Sequence, residues 1–200
     1  ALPLVAALLD AGIATFTAPV TVGGGEAFAD PGWSGFAEPP AVLPADMTID
    51  SVGDVEESAA CLARFLGYLH EEYGVRDVDI VAHSLGGVIA RSAHMQMRSV
   101  GGSARIISLT SIGTPWLGSF VRHYDRESMP MPEPAASFAY SLMGHMRQGG
   151  RLVAQAAAPP LWSTGKEHGL DGLVLTRIAG TYFTGTGEPY PHDGMASRTS

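Results

Sequence analysis

The spacing of apolar and polar positions changes period several times along this chain, and each change marks an element. Leu2, Val5 and Leu9 recur at helical spacing, and Gly12 stands where such a helix would stop. Ile13 to Pro19 alternates apolar and small residues up to a proline, which predicts a strand. Residues 20–44 are rich in Gly and Pro, with Phe28, Trp33 and Phe36 scattered among them, and predict a long loop. Gly23-Gly24-Gly25 lies in it, but no Gly-Lys-Ser/Thr follows, so these glycines read as a flexible turn and not a phosphate cradle.

The clearest helix spans Ser51 to Tyr73, where Val55, Ala59, Leu62, Leu66, Leu69 and Tyr73 form one apolar stripe. Ser51 and Asp54 look like a capping box, and Gly74 ends the helix. Asp54, Glu56 and Glu57 put negative charge at the positive end of the helix dipole, which explains them without a catalytic role. A short apolar strand, Val78 to Ala82, comes next. A helix follows from about Leu85 to Val100, closed by Gly101-Gly102. Arg105 to Ser111 predicts another strand, and Gly113 to Ser119 a turn.

Residues 120–172 look helical but irregular, with Met129, Met131, Met143, Met146 and Trp162. They read either as a lid, whose flexible methionines adapt to varied acyl chains, or as ordinary packing of an inserted helix pair. Val174 to Phe183 predicts the last strand, and a Gly-rich loop leads from it to Pro191-His192-Asp193-Gly194. Strands alternating with helices predict a parallel sheet with crossover helices on both faces. Ligands collect at the carboxyl ends of such strands, and Ser84 and Asp193 both follow strands, which puts them on one edge.

Composition narrows the reading. Two hundred residues suit one domain, 1–200, and 46% hydrophobic residues exclude disorder as the main state. A net charge of −8 argues against nucleic acid and against electrostatic docking on anionic lipid. No apolar stretch is long enough for a transmembrane segment. Cys61 is the single cysteine, so no intrachain disulfide forms, and its helical setting reads as a half-buried hydrophobe.

Ala82-His83-Ser84-Leu85-Gly86-Gly87 carries the chemistry. A serine among small residues, between a strand and a helix, has the pattern of a nucleophile elbow. The small residues are needed because the turn is sharp and neighbouring backbone passes close to it. Ala82 stands where a glycine is usual, and its short side chain weakens the motif only slightly. The pattern places Ser84 at the carboxyl end of a central strand. His83 reads as a packing residue of the elbow, pointing away from Ser84. His70, His94, His123, His145 and His168 fall on helix or loop patterns, where a solvated or hydrogen-bonded ring is the default. No histidine pair has metal-ligand spacing, so neither metal nor cofactor is expected.

With these residues the chain resembles the α/β-hydrolase superfamily, and within it the bacterial lipase and esterase group. The elbow and Val88-Ile89-Ala90-Arg91 carry the resemblance. Ser111-Ile112-Gly113-Thr114-Pro115 through Gly118-Ser119, and Ile178-Ala179-Gly180-Thr181 followed by Asp193-Gly194, support it. The resemblance implies an α/β-hydrolase-type sheet with a helical insertion or lid. It implies a serine carboxylic ester hydrolase working through an acyl-enzyme on a small-molecule ester or lipid. Ser84 would be the nucleophile, the Leu85 N–H an oxyanion donor and Asp193 the acid that orients a histidine. An in-chain alternative joins Ser84 to Asp171 and His192. An acyltransferase or thioesterase, or a non-catalytic binding protein of the same fold, are the alternative functions.

The family's first strand with its His-Gly turn, and a histidine beyond the acid, are not in this sequence. The expectation is therefore a domain incomplete at both ends, with the catalytic histidine beyond Ser200 and little ester turnover from these 200 residues alone.

Overall fold

The computed structural model describes residues 2–28, 40–51, 53–100, 104–116, 170 and 172–180. In chain order the elements are α1 (Leu2–Asp10), β1 (Val20–Thr21), β2 (Ala27–Phe28), β3 (Val42–Leu43), a 3-10 turn (Ala45–Met47), β4 (Ile49–Asp50), α2 (Val55–Tyr73), β5 (Asp77–His83), α3 (Leu85–Val100), β6 (Arg105–Ile112) and β7 (Val174–Ile178).

The main sheet has the order β5-β6-β7. Both of its ladders are parallel, as the strand–helix alternation predicts. A register shift between Val78 and Asp79 makes Ile80, Ala82, Leu109 and Ser111 share one face. On that face Ala82, Leu109 and Ser111 are buried. The opposite face carries Val81, Ile107, Val174 and Ile178, all exposed. Two smaller sheets complete the described strands: β1 pairs with β4 in parallel, and β2 with β3 antiparallel.

α2 and α3 pack against each other, and α3 covers β5 and β6. The core forms where these layers meet, from Val55, Ala59, Leu62, Phe65, Leu66 and Leu69 of α2, Val88, Ile89 and Ala93 of α3, and Ile106 and Leu109 of β6. The expected stripe on α2 is therefore the buried one, except that Tyr73 is exposed and Phe65, off the stripe, is buried.

α2 starts later than Ser51. Its N-cap is Asp54, whose carboxylate accepts from the N–H groups of Glu56 at 2.9 Å and Glu57 at 3.1 Å. Ser51 is no part of a capping box. Its hydroxyl donates to the Thr21 carbonyl at 3.0 Å and ties β4 to β1. Gly74 closes the helix at φ 67°, a left-handed conformation that a β-carbon would strain. Asp54→Ala is expected to cost about 1 kcal/mol, the usual value of a cap, read as a lower urea midpoint with an unchanged slope.

α1 and its glycine stop agree with the sequence pattern, with the Ile13 N–H bonded to the Leu8 carbonyl at 3.0 Å. The predicted strand at Ile13–Pro19 does not form. The ladder begins only at Pro19, whose carbonyl accepts from the Ile49 N–H at 3.0 Å. Its partner β4 is two residues long, confined between the 3-10 turn and the α2 cap, so pairing reaches no further back. The predicted loop at 20–44 contains β1, β2 and β3. Gly23 is tied down by its N–H bond to Asp50 Oδ1 at 2.9 Å. Among the described residues, the last strand ends at Ile178 and not Phe183. The lid or helix pair at 120–172 lies outside the described residues except for 170 and 172.

Candidate active site

β5 delivers the chain to Ser84, and α3 takes it away at Leu85. Between them Ser84 has φ 54°, the only described non-glycine residue with positive φ. A left-handed L-residue costs on the order of 1–2 kcal/mol, and such strain persists only where neighbouring structure enforces it. Here the neighbours are explicit. The Ser84 N–H donates to the Ile112 carbonyl at 2.9 Å, and the Ser84 carbonyl accepts from the Gly87 N–H at 3.2 Å. One bond holds the serine to the end of β6, and the other to the first turn of its own helix.

Gly87 explains part of the motif's need for small residues. A β-carbon there would lie 2.3 Å from Thr114 Oγ1 and 2.7 Å from its Cγ2. Gly86 is less constrained, since its β-carbon would meet only Ala82 Cβ at 3.6 Å. Ala82, the departure from the usual glycine, fits at the end of the strand as a buried residue.

The carboxyl ends of all three main strands meet at this place. Ser84 follows β5, and Gly113 follows β6 and donates its N–H to the Ile178 carbonyl of β7 at 2.8 Å. The Gly113–Trp116 turn then folds back over the buried face of the sheet. The Trp116 indole N–H donates to Ser111 Oγ at 3.2 Å, and Ser111 Oγ donates to the Thr176 carbonyl at 3.4 Å. Ser84 is half-buried at this junction. Leu85 opens α3, so its N–H belongs to the first turn, which has no intrahelical acceptor, and the helix dipole makes that end positive. Among the described residues β5 is an edge strand of its sheet, not the central one that the elbow pattern suggests.

Asp193, Asp171 and His192 lie outside the described residues, and so do Leu117, Gly118 and Ser119. The described histidines sort differently from their default reading. His83 is exposed and is not a packing residue of the elbow. His70 is hydrogen-bonded as expected, with Nδ1 2.7 Å from the Val75 carbonyl. His94 departs from the default: it is buried on α3, and among the described residues its Nε2 has no hydrogen-bond partner. Its place on a polar-looking stretch, His94-Met95-Gln96, hid this; the signal was its helical spacing from the buried Gly87 and Arg91.

Burial, and then the charge of Arg98, push the His94 pKa below the usual 6.5. The unfolded chain then takes up a proton below that pH which the folded chain refuses. Stability is expected to fall as pH drops below 6.5, and His94→Leu is expected to flatten that slope. Denaturant titrations at about pH 7.5 and about pH 5.5 check this linkage.

Two polar groups named from the sequence have contacts that its pattern did not foretell. Glu56 does more than face the α2 dipole: it accepts from Ser92 Oγ at 2.7 Å and from Gln96 Nε2 at 3.0 Å, joining α2 to α3. Arg91 is buried beside this cluster, where burial lowers its pKa and the Glu56 charge opposes the shift. Cys61 is half-buried, with Sγ 3.4 Å from an Arg64 guanidinium nitrogen.

Residues 46–144 match a protein family described as "Putative serine esterase (DUF676)". The matched span runs from the 3-10 turn through β6 and includes the elbow. No curated protein matches the chain. Among solved structures, the mature form of the Bacillus licheniformis lipase BlEst2 is similar at 20% identity and a TM-score of 0.44, over 74% of this chain and 61% of that one. Its propeptide form is similar at 21% identity and a TM-score of 0.44, over 74% of this chain and 33% of that one. The chain thus spans less than two thirds of the length of these lipases. No helix among the described residues is long and apolar enough to cross a membrane. The strained serine between a parallel strand and a helix has the geometry of a nucleophile elbow, and the match to the family described as a putative serine esterase spans it.

Proposed function

We propose that the full protein is a serine carboxylic ester hydrolase that acts through an acyl-enzyme on Ser84. The observation that carries the reading is the left-handed φ of 54° at Ser84, enforced by the bonds to Ile112 and Gly87. A serine that only linked strand to helix would have no reason to keep that strain. The strain lifts the side chain out of the strand direction, at the carboxyl edge where ligands of parallel sheets collect.

In this reading Ser84 Oγ attacks the ester carbonyl while a histidine takes its proton, and the alcohol leaves with that proton. The tetrahedral oxyanion sits at the start of α3. There the Leu85 N–H donates to it, and the positive helix end favours its charge. Water then attacks the acyl-enzyme and frees the acid. Asp193 is the proposed acid, because it follows β7 in the order serine, acid, histidine. The 120–172 segment is proposed as the insertion over the acyl group.

The test is pre-steady-state hydrolysis of a chromogenic acyl ester by the full-length protein. A burst of alcohol product matching the enzyme concentration, followed by slower turnover to free acid, is the expected result. Alcohol release with no burst, insensitive to Ser84→Ala, would exclude the acyl-enzyme on this serine.

A further inference from the structure

We infer that Thr114 is a positioning residue of the elbow: its side chain fills the notch left by Gly87 and thereby fixes the first turn of α3. The inference rests on reading Ser84 as the nucleophile, and it adds a residue that this reading does not need.

The contact is close and one-sided. A β-carbon at Gly87 would meet Thr114 Oγ1 at 2.3 Å, Cγ2 at 2.7 Å and Cβ at 3.0 Å, so the threonine occupies the space of an ordinary side chain. Thr114 is 5% exposed and has little room to withdraw. Its backbone is also held. Gly113 before it is bonded to Ile178, and the Thr114 carbonyl accepts from the Trp116 N–H at 2.9 Å. Trp116 is anchored in turn through Ser111 to Thr176 of β7. The β6–β7 end is therefore a rigid platform, and Thr114 is where it touches the helix.

Position along the chain turns that touch into control of the site. Gly87 holds the Ser84 carbonyl, and Leu85 lies between them. A shift of Gly87 away from Thr114 moves the anchor of the strained serine and the Leu85 N–H together.

Among the described residues the Thr114 hydroxyl has no hydrogen-bond partner although it is buried. An unpaired buried hydroxyl is unfavourable, and valine has nearly the same shape without it. Filling, not hydrogen bonding to protein, is thus the contribution that the geometry assigns to this side chain.

The experiment is a double-mutant cycle in the full-length protein, read as the second-order rate of Ser84 labelling by a fluorophosphonate, with melting temperature measured beside it. Gly87→Ala is expected to slow labelling on the order of a hundredfold, the cost of misplacing a reacting group by about 1 Å. Thr114→Ala removes the two closest atoms, leaving Cβ, which a shift of a few tenths of an ångström accommodates. Gly87→Ala/Thr114→Ala is therefore expected to recover most of the rate. Thr114→Ala alone is expected to slow labelling about tenfold through the looser turn, and Thr114→Val to restore it.

A filler with no positioning role would lower the melting temperature and leave the labelling rate of folded protein unchanged; that outcome overturns the inference. So does a double variant that stays folded but as slow as Gly87→Ala. Failure of the nucleophile reading looks different: Ser84→Ala would then be labelled as fast as the parent protein.

Discussion

Replacing Ser84 with alanine is expected to lower ester turnover by roughly a millionfold, the scale at which a triad loses its nucleophile. The substitution removes the hydroxyl but keeps a β-carbon in the left-handed conformation, so the strain at φ 54° remains. Ser84→Gly is expected to abolish turnover equally and to stabilise the fold as well. Glycine adopts this conformation without penalty, so about 1 kcal/mol of strain is released, or roughly 2–4 °C in melting temperature for a domain of this size. Part of that gain is offset by the greater freedom of glycine in the unfolded chain. The informative comparison is therefore between the two variants. Equal activity loss with a higher melting temperature for glycine would show that strain at this residue is maintained for function. A glycine variant less stable than the alanine one would show that the backbone here is not strained.

The largest stability effect is expected at Phe65. It is 2% exposed, on α2, within the layer that joins this helix to α3 and the main sheet. It also stacks on Tyr68 with ring centroids 6.4 Å apart, and Tyr68 in turn meets Tyr73 edge-on at 5.9 Å. Phe65→Ala removes a ring from a close-packed site and leaves a cavity, which typically costs 3–5 kcal/mol. Since native domains have only about 5–15 kcal/mol in hand, this loss is expected to unfold a large fraction of the protein near its melting range. Phe65→Leu, which keeps most of the volume, is expected to cost much less. Urea unfolding of the three proteins checks the order. Equal midpoints for alanine and parent would mean that Phe65 is not in the core.

Much of this architecture was legible from local pattern, for reasons that particular residues show. The α2 stripe is readable because one helix face is buried from Val55 to Leu69. β5, α3 and β6 are readable because the elbow forces strand, turn and helix into a fixed order, and the bounds of α3 agree with the expected ones. The misses come from contacts distant in sequence. Ile13–Pro19 has the composition of a strand, but a strand exists only beside a partner, and β4 offers two residues. Ser51 has the chemistry of a cap, yet the Thr21 carbonyl 30 residues away takes its hydroxyl. The burial of His94 and the filling of the Gly87 notch by Thr114 likewise depend on which elements pack together.

The candidate site divides in the same way. The turn at Ser84 and Leu85 was legible because its motif is local and its geometry follows from it. The acid and base of such a site come from loops whose spacing is free, so order along the chain is the only guide to Asp193 against Asp171 with His192.

Covalent capture decides whether Ser84 is the nucleophile. The full-length protein would be treated with a fluorophosphonate, and the modified residue located by peptide mass spectrometry. A single adduct is expected, on Ser84, formed in step with loss of ester hydrolysis and absent from Ser84→Ala. Loss of activity with the adduct on another residue, or full activity retained with Ser84 modified, would contradict Ser84 as the nucleophile.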